Sequence, residues 1–281
     1  MNVPEPPSTA ALGAPTSPPG PVAALYQGAI WLLLPIAAMA VALQLAWGLV
    51  VAAVVMPWLP QPSRNRLIKL WSRLLLLVVG TRLRVIGAPI EPRVAATGID
   101  GGGRLLVANH VSWLDVYAID AVVPSRFIAK SEITRWPVVG WLVTLVGTLF
   151  LERGRRHAVA TINRTLGAHL ALGESIAIFP EGTTTDGSML LRFHANLIQP
   201  ALDHGAEIRP VAISYTQDGE PSPAAAYIGD MTLVGSILRV LLAPRLTVTV
   251  EWLPPVRVED GNRHAVGRVA RQAIAAALDL E

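Results

Sequence analysis

The stretch 104–115, RLLVANHVSWLD, decides the fold, because a short apolar run passes directly into polar residues. RLLVA is typical of a β-strand, and the pattern after it is typical of a helix. Asn109 and His110 therefore lie at the carboxyl end of a strand, where open α/β sheets bind their ligands. Asp115 follows His110 by five residues. The sequence predicts a functional site at this strand-to-helix junction.

The chemistry of the junction depends on whether His110 and Asp115 meet. On a regular helix an offset of five residues turns a side chain by about 140°. The two side chains can therefore meet only if the turn is irregular or if His110 precedes the helix. An Asp bonded to one imidazole nitrogen would fix the tautomer and leave the other nitrogen to take a proton from an alcohol. The pair thus fits a general base, and it also fits a helix cap and surface residues.

Short β-rich runs alternate with helical patterns from about Leu83 onward. The predicted strands are 83–87, 104–109, 125–130, 148–153, 175–181, 208–214 and 245–252. The predicted helices are 111–123, 137–147, 157–172, 193–205 and 264–280. This alternation predicts an α/β domain over 81–281, with a mostly parallel central sheet flanked by helices.

Two more predicted strands end in residues that suit an anion. The run 175–187, SIAIFPEGTTTDG, leads into Glu181, Gly182 and Thr183, where backbone N–H groups and hydroxyls can bind phosphate. The run 148–153 ends in Arg153, whose planar guanidinium suits phosphate. Alone, the first run also fits an ordinary turn and cap, and the second fits a surface arginine.

The first 80 residues have a different composition from the rest. Residues 1–22 are rich in Pro, Ala, Ser and Gly, which predicts a disordered tail. Residues 30–59 carry no charge and exceed the roughly 20 residues needed to cross a bilayer, which predicts a membrane helix. A cleaved signal peptide is the competing interpretation, but a basic n-region is missing and the apolar run is too long.

A basic amphipathic helix is predicted after the apolar run. Arg64, Arg66, Lys69 and Arg73 share this segment with leucines and a tryptophan, so it can lie at the membrane interface or form a shallow hairpin with the preceding helix. A core helix of the following domain is the alternative. Residues 23–80 are therefore interpreted as membrane-anchoring helices. Basic residues follow the apolar run and none precedes it, which predicts a cytoplasmic catalytic domain.

Composition excludes several classes of function. The 281 residues are 52% hydrophobic and 15% charged, so the chain is not disordered throughout. A net charge of +3 is too small an excess to indicate nucleic acid, and it favours membrane lipids as the partner. The chain has no cysteine, which excludes a thiol nucleophile and cysteine-based metal sites. The histidines lack metal-ligand spacing, so no metal is predicted.

Four motifs in order resemble those of the glycerolipid acyltransferases of the 1-acyl-glycerol-3-phosphate acyltransferase type. They are Asn109, His110 and Asp115; Gly147, Phe150 and Arg153; Phe179 to Thr183; and Ile208 to Val211. Lys130, Glu132, Pro137 and Gly140 match between the first two. The chain departs from the family after the third motif, where His194 follows Phe193 in place of the usual lysine.

The resemblance implies transfer of a fatty acyl group from acyl-CoA or acyl carrier protein to a lysolipid hydroxyl, without a metal or prosthetic group. His110 is the implied base and Asp115 orients it. The implied substrate-binding residues are Asn109, Lys130, Arg153, Glu181, Gly182 and Thr183. Glu181 would repel phosphate, so it is interpreted as holding an arginine or buried backbone amides. Amides near Gly182 or the Asn109 side chain are the candidate oxyanion donors.

The predicted function is synthesis of phosphatidic acid from lysophosphatidic acid at the cell inner membrane. A lyso-ornithine lipid or another lysophospholipid is the alternative acceptor. A noncatalytic, membrane-anchored lipid-binding module is the alternative from another class. A transporter fits poorly, because the sequence offers only one strong membrane span.

Overall fold

The computed structural model describes residues 21–88, 103–136, 139–151, 156–256 and 262–280, with the side chains of 21–32, 130, 151 and 156–159 left out. Most of the predicted N-terminal tail therefore lies outside the described residues. The helices are α1 Pro21–Val50, α2 Gln61–Val78, α3 Leu114–Asp120, α4 Val139–Leu145, α5 Arg156–Ala171, α6 Gln199–Asp203, α7 Leu233–Leu241 and α8 Arg263–Ala277. The strands are β1 Arg82–Ile86, β2 Arg104–Ala108, β3 Arg126–Lys130, β4 Leu149–Leu151, β5 Ser175–Ile178, β6 Glu207–Gln217, β7 Glu220–Pro221 and β8 Leu246–Trp252.

The eight strands form one sheet in the order β1-β8-β6-β2-β5-β3-β4, with β7 paired to β6. All pairs formed among strands β2 to β6 are parallel. Strands β7 and β8 each pair with β6 in the antiparallel direction. The predicted α/β fold with a mostly parallel sheet and flanking helices is confirmed. The sheet is mixed because the chain returns from β6 through α7 to β8, and β1 adds to β8 in parallel.

Strand β2 is central in the sheet, and its side chains supply both layers of the core. Residues 105–108 are all fully buried. Leu106 and Ala108 belong to the core that contains α1, α2 and α3, whereas Leu105 and Val107 belong to the core that contains α5, α6 and α8. This alternation fixes the register of β2 and so the position of the residues that follow it.

Helices α1 and α2 pack against each other and against the first core. The side-chain amide of Gln44 donates to the Trp71 carbonyl at 3.2 Å, and the Trp71 indole donates to the Gln44 carbonyl at 3.2 Å. Gly48 lies against the Trp71 ring so closely that a Cβ there would stand 2.3 Å from Nε1. The two helices therefore form a close-packed hairpin. The domain boundary at residue 81 stays a prediction, and α2 shares its core with the sheet.

One apolar stretch, Leu33–Trp58, is long enough to cross a membrane. It covers the end of α1, a π-helical turn at Val51–Val55 and a 3-10 turn at Met56–Trp58. Its buried side chains, Val41, Ala52 and Met56, form a narrow stripe against the rest of the molecule, while most of its bulky residues are exposed. This distribution agrees with a helix that has lipid on one side and protein on the other.

All seven predicted strands are present, and two elements were not predicted. Strand β7 is a two-residue hairpin arm, and α7 follows a loop that gave no clear periodic signal. The predicted helix over 193–205 is divided into a 3-10 turn at Ala195–Leu197 and the short α6, whose second residue is Pro200. Proline has no backbone N–H to continue a helix, so this position is accommodated only near a helix start.

Candidate active site

His110 and Asp115 meet at the carboxyl end of β2. His110 lies before α3, which begins at Leu114, so the two side chains are not held to the spacing of a regular helix. The His110 Nδ1 atom is 2.8 Å from Asp115 Oδ2. The Asp115 side chain is fully buried, whereas 21% of the His110 side chain is exposed. A partly exposed imidazole is thus held in one orientation by a buried carboxylate, an arrangement that fits a general base.

The Asp115 carboxylate is bonded on both oxygens. Oδ2 accepts the backbone N–H of Val111 at 2.7 Å and that of Ser112 at 2.9 Å, in addition to His110. Oδ1 accepts the hydroxyl of Tyr215 at 2.6 Å. Tyr215 lies on β6, 100 residues away in the sequence, and the sequence analysis did not identify it. The one feature of the sequence that could have pointed to Tyr215 is its place on the strand that carries the fourth motif.

The His110 ring is also held by an aromatic stack. Its centroid lies 3.9 Å from that of Phe179, with 10° between the planes, and Phe127 lies beyond Phe179 at 6.0 Å. The Nε2 atom has no hydrogen-bond partner among the described residues. Because Nδ1 is engaged by Asp115, Nε2 is the nitrogen available to a substrate hydroxyl.

The turn after β5 holds the backbone of His110 from both sides. Glu181 is buried, and its two oxygens accept the N–H groups of His110 and Leu191, each at 2.8 Å. Burial raises the pKa of Glu181, and these two hydrogen bonds oppose the shift. The N–H of Thr185 donates to the His110 carbonyl at 2.9 Å. Glu181 therefore holds backbone amides, as one of the two interpretations predicted.

Gly182 and Thr183 form the open part of the same turn. Gly182 has a φ of +72°, a conformation that favours glycine, and its N–H donates to the Phe179 carbonyl at 3.0 Å. Thr183 is exposed. The hydroxyl of Thr184 donates to the Tyr227 carbonyl, which ties this turn to the loop after β7.

Asn109 lies beside His110 but supports the sheet. Its side chain is almost fully buried, its Nδ2 donates to the Ile213 carbonyl at 2.9 Å, and its Oδ1 accepts the Ile213 N–H at 2.8 Å. Both amide atoms thus bond to β6. We therefore assign Asn109 a positioning role in place of the predicted substrate contact.

The two predicted cations are less fully described. Lys130 is the last residue of β3, with its side chain outside the described set, and Arg153 lies outside the described residues. The turn before β4 is well anchored, because the Arg126 guanidinium donates to the Gly147 carbonyl at 3.1 Å and pairs with Glu174. Gly147 has a φ of +86°, a conformation that favours glycine, which explains the glycine of the second motif. The anion-binding roles of Lys130 and Arg153 stay predictions.

An apolar pocket lies between the helical hairpin and the sheet, with an empty volume of about 720 Å³ including its open mouth. Its lining includes Trp47, Met56, Trp71, Val116, Phe127 and Leu142. Through Phe127 and Phe179, this pocket adjoins the aromatic stack behind the His110 ring.

Asp120 is the one acidic residue in the lining; it accepts the Ser125 N–H at 2.8 Å, and burial raises its pKa well above the ordinary value.

Comparisons with known proteins show the family of the chain. A family model described as Acyltransferase matches residues 86–214. The chain is 39% identical to a lyso-ornithine lipid O-acyltransferase from Pseudomonas aeruginosa, over 77% of this chain and 80% of the relative. It is 37% identical to a 1-acyl-sn-glycerol-3-phosphate acyltransferase from Neisseria gonorrhoeae, over 62% of this chain and 69% of the relative.

A solved structure shares the fold. The crystal structure of the 1-acyl-sn-glycerophosphate acyltransferase from Thermotoga maritima superposes with a TM-score of 0.61 at 20% identity, and the match covers 89% of this chain and 97% of that one.

Proposed function

The chain belongs to the acyltransferase family of lipid biosynthesis that includes lyso-ornithine lipid and 1-acylglycerol-3-phosphate acyltransferases, and on that premise we propose that it acylates the hydroxyl of a lysolipid. The donor in this proposal is acyl-CoA or acyl carrier protein. The observation that carries it is the 2.8 Å contact between His110 and the buried Asp115 at the carboxyl end of β2, with Nε2 open.

In the proposed reaction, Nε2 of His110 takes the proton of the acceptor hydroxyl while the alcohol oxygen attacks the thioester carbonyl carbon. The tetrahedral intermediate collapses, the carbon–sulfur bond breaks, and the imidazolium returns the proton to the departing thiolate. Asp115 stabilises the imidazolium and keeps its tautomer. A positioned base of this kind contributes about 10² to 10⁴ in rate.

The oxyanion of the intermediate needs donors that are not already bonded. The Gly182 N–H donates to the Phe179 carbonyl and the Asn109 amide donates to the Ile213 carbonyl, so these two donors are already engaged and the other amides near Gly182 become the candidates. The N–H groups of Thr183 and Thr184 have no backbone partner in the described segments. We assign them the oxyanion role, in which one donor is worth about 10² to 10³ in rate.

The acceptor headgroup in this proposal is held at the same edge of the sheet. Lys130 is the last residue of β3, and in the sequence Arg153 comes soon after β4. Both strands run parallel to β5, and Gly182 and Thr183 lie in the turn after β5. Parallel strands place these ends along one edge. A guanidinium binds a phosphate or a carboxylate in the same two-pronged manner, so this set suits either headgroup.

Lipid substrates explain the N-terminal helices. Moving an acyl chain into water costs about 0.8 kcal/mol per methylene, so the acceptor is best taken directly from the bilayer. The proposal places Leu33–Trp58 in the inner membrane and the catalytic domain in the cytoplasm, because Arg64, Arg66, Lys69 and Arg73 follow that stretch.

The pocket beside the aromatic stack is proposed to hold an acyl chain. We expect Val116→Phe, which adds bulk to its lining, to shift the preferred acyl donor toward shorter chains, because a filled apolar pocket excludes terminal methylenes. The measurement is competition among acyl-CoA donors of graded length, read by mass spectrometry. Val269→Phe, on the exposed surface of α8, is the matched control. If folded Val116→Phe protein keeps the same preference for donor chain length, the acyl chain does not bind in this pocket.

Lyso-ornithine lipid is the acceptor that the comparisons favour, because the relative with that name is matched at higher identity and over more of both chains than the Neisseria relative. The absence of the usual lysine after the third motif supports the same acceptor, because a phosphate headgroup would be bound more tightly by that cation. Lysophosphatidic acid is the second candidate, supported by the retained second motif that ends in Arg153 and by the 37% identical relative.

A panel of purified acceptors with CoA and carrier-protein donors tests the choice. We expect lyso-ornithine lipid to be acylated about tenfold or more efficiently than lysophosphatidic acid, a ratio that a few headgroup hydrogen bonds supply. Faster acylation of lysophosphatidic acid would select the second candidate. Acylation of neither lipid, nor of any other lysophospholipid, would contradict the proposed function. Cells lacking the protein give a parallel readout, namely loss of an aminolipid or accumulation of lysophosphatidate.

A further inference from the structure

The Asp115 carboxylate receives one hydrogen bond from outside its own segment. Oδ2 accepts three donors that lie within five residues of it, namely His110 Nδ1 and the N–H groups of Val111 and Ser112. Oδ1 accepts the Tyr215 hydroxyl at 2.6 Å, and this is its single donor in the described part of the chain. Because Asp115 is fully buried, water cannot replace that donor.

We propose that Tyr215 is a positioning residue for acyl transfer, whose hydroxyl sets how strongly the Asp115 carboxylate holds the proton of His110. The inference rests on the proposed base role of His110. Tyr215 acts through Asp115 and does not touch the reacting atoms. Its hydrogen bond joins β6 to the junction after β2, so the position of β6 in the sheet helps to fix the position of Asp115 and, through it, of the His110 ring.

The hydroxyl remains a donor over the working pH range. Burial raises the pKa of Tyr215 well above its ordinary value of 10.0, and the charge of Asp115 raises it further. A carboxylate that accepts this hydrogen bond is less basic than one that lacks it. Such a carboxylate stabilises a positive charge on the His110 ring less than an unbonded carboxylate would.

The titratable groups around His110 come from three elements. Asp115 lies on α3, Glu181 on the turn after β5 and Tyr215 on β6. Glu181 bonds to the His110 backbone N–H, so it stays in place when Tyr215 is changed. A shift in the pH profile of a Tyr215 variant can therefore be assigned to the Asp115–His110 pair.

The test is Tyr215→Phe, which removes only the hydroxyl. We expect the acidic limb of the kcat/KM profile to move to higher pH by about half a unit to one unit, because Asp115 then stabilises the imidazolium more. We also expect kcat at the optimum to fall about tenfold, because Oδ1 of Asp115 loses its donor from β6 and the carboxylate no longer holds the ring in one position. KM for the lysolipid stays unchanged. Tyr227→Phe is the control, because that hydroxyl has no partner among the described residues. A Tyr215→Phe profile that superimposes on the wild type overturns the inference.

Two further variants keep the test decisive if Tyr215→Phe folds poorly. Placing 3-fluorotyrosine at position 215 keeps the shape and strengthens the donor, so the acidic limb is expected to move to lower pH. In the Asp115→Asn background, Tyr215→Phe is expected to cost clearly less than it does in the wild type, since the hydroxyl can then no longer act through the carboxylate. A full, independent cost in that background overturns the inference. Retained acyl transfer by His110→Ala would instead refute the base role itself.

Discussion

His110→Ala is expected to lower kcat for lysolipid acylation about 10³-fold or more while the protein stays folded. In the proposed reaction the His110 ring is the base, and a positioned base is worth about 10² to 10⁴ in rate. The substitution also removes the stack on Phe179, but His110 is partly exposed, so the core is left intact. The measurement is single-turnover acylation of purified protein in lipid micelles, with the melting temperature followed in parallel.

The matched control for this prediction is His264→Ala, at an exposed histidine in the first turn of α8. It is expected to keep the wild-type rate. Acylation at the wild-type rate by folded His110→Ala protein would remove His110 from the base role and favour the noncatalytic lipid-binding module. Loss of lysolipid binding together with activity would indicate that the change had disturbed the site as a whole.

Much of the fold was predictable because the strands carry strong local patterns. The β2 run was predicted as a strand, and four of its consecutive side chains are fully buried, as expected for a strand covered on both faces. The mixed order of the sheet was not predictable in the same way. The direction of β8 depends on how the chain returns from β6 through a loop and α7, and nothing within the β8 sequence itself records that path.

The candidate site was predictable where its residues are close in the sequence. His110 and Asp115 lie within one junction, and the condition for their contact, that His110 precedes the helix, follows from helix geometry. Tyr215 was missed because its contact joins elements 100 residues apart. Asn109 was assigned to substrate because its position beside His110 does not reveal which way its side chain points. Its two bonds to Ile213 depend on the pairing of β2 with β6.

Glu181 is an acidic residue in a turn that was predicted to bind an anion, and its burial removes this conflict. An acidic residue in an anion-binding turn conflicts with the ligand if its carboxylate is exposed. Here Glu181 is buried, and its two oxygens accept backbone N–H groups from both sides of the turn. The carboxylate thus fixes the His110 backbone from behind, and the open face of the turn is left to Gly182 and Thr183.

Asp115→Asn is expected to lower kcat about 10² to 10⁴-fold with little change in the KM for the lysolipid. The carboxamide has nearly the shape of the carboxylate, but it provides one acceptor atom where the native side chain provides two. If the amide oxygen takes the place of Oδ2, it can still accept the Val111 and Ser112 N–H groups, but the new NH₂ group then faces the Tyr215 hydroxyl. If the amide is turned the other way, the NH₂ group faces these N–H groups and His110 Nδ1. The ring is then free to adopt the wrong tautomer and loses the charge that stabilises the imidazolium.

The Asp115→Asn measurement compares kcat, KM and melting temperature with those of Asp203→Asn. Asp203 is an exposed carboxylate at the end of α6, and this variant is expected to behave as wild type. The decisive feature is the division between the two kinetic constants. A residue that only supported the fold would change the melting temperature and the amount of active protein, with the turnover of each folded molecule preserved. A residue that orients the base changes turnover at constant binding, because its interaction strengthens only as the imidazolium forms. A wild-type kcat for Asp115→Asn would therefore contradict the assigned role, even if the protein were less stable.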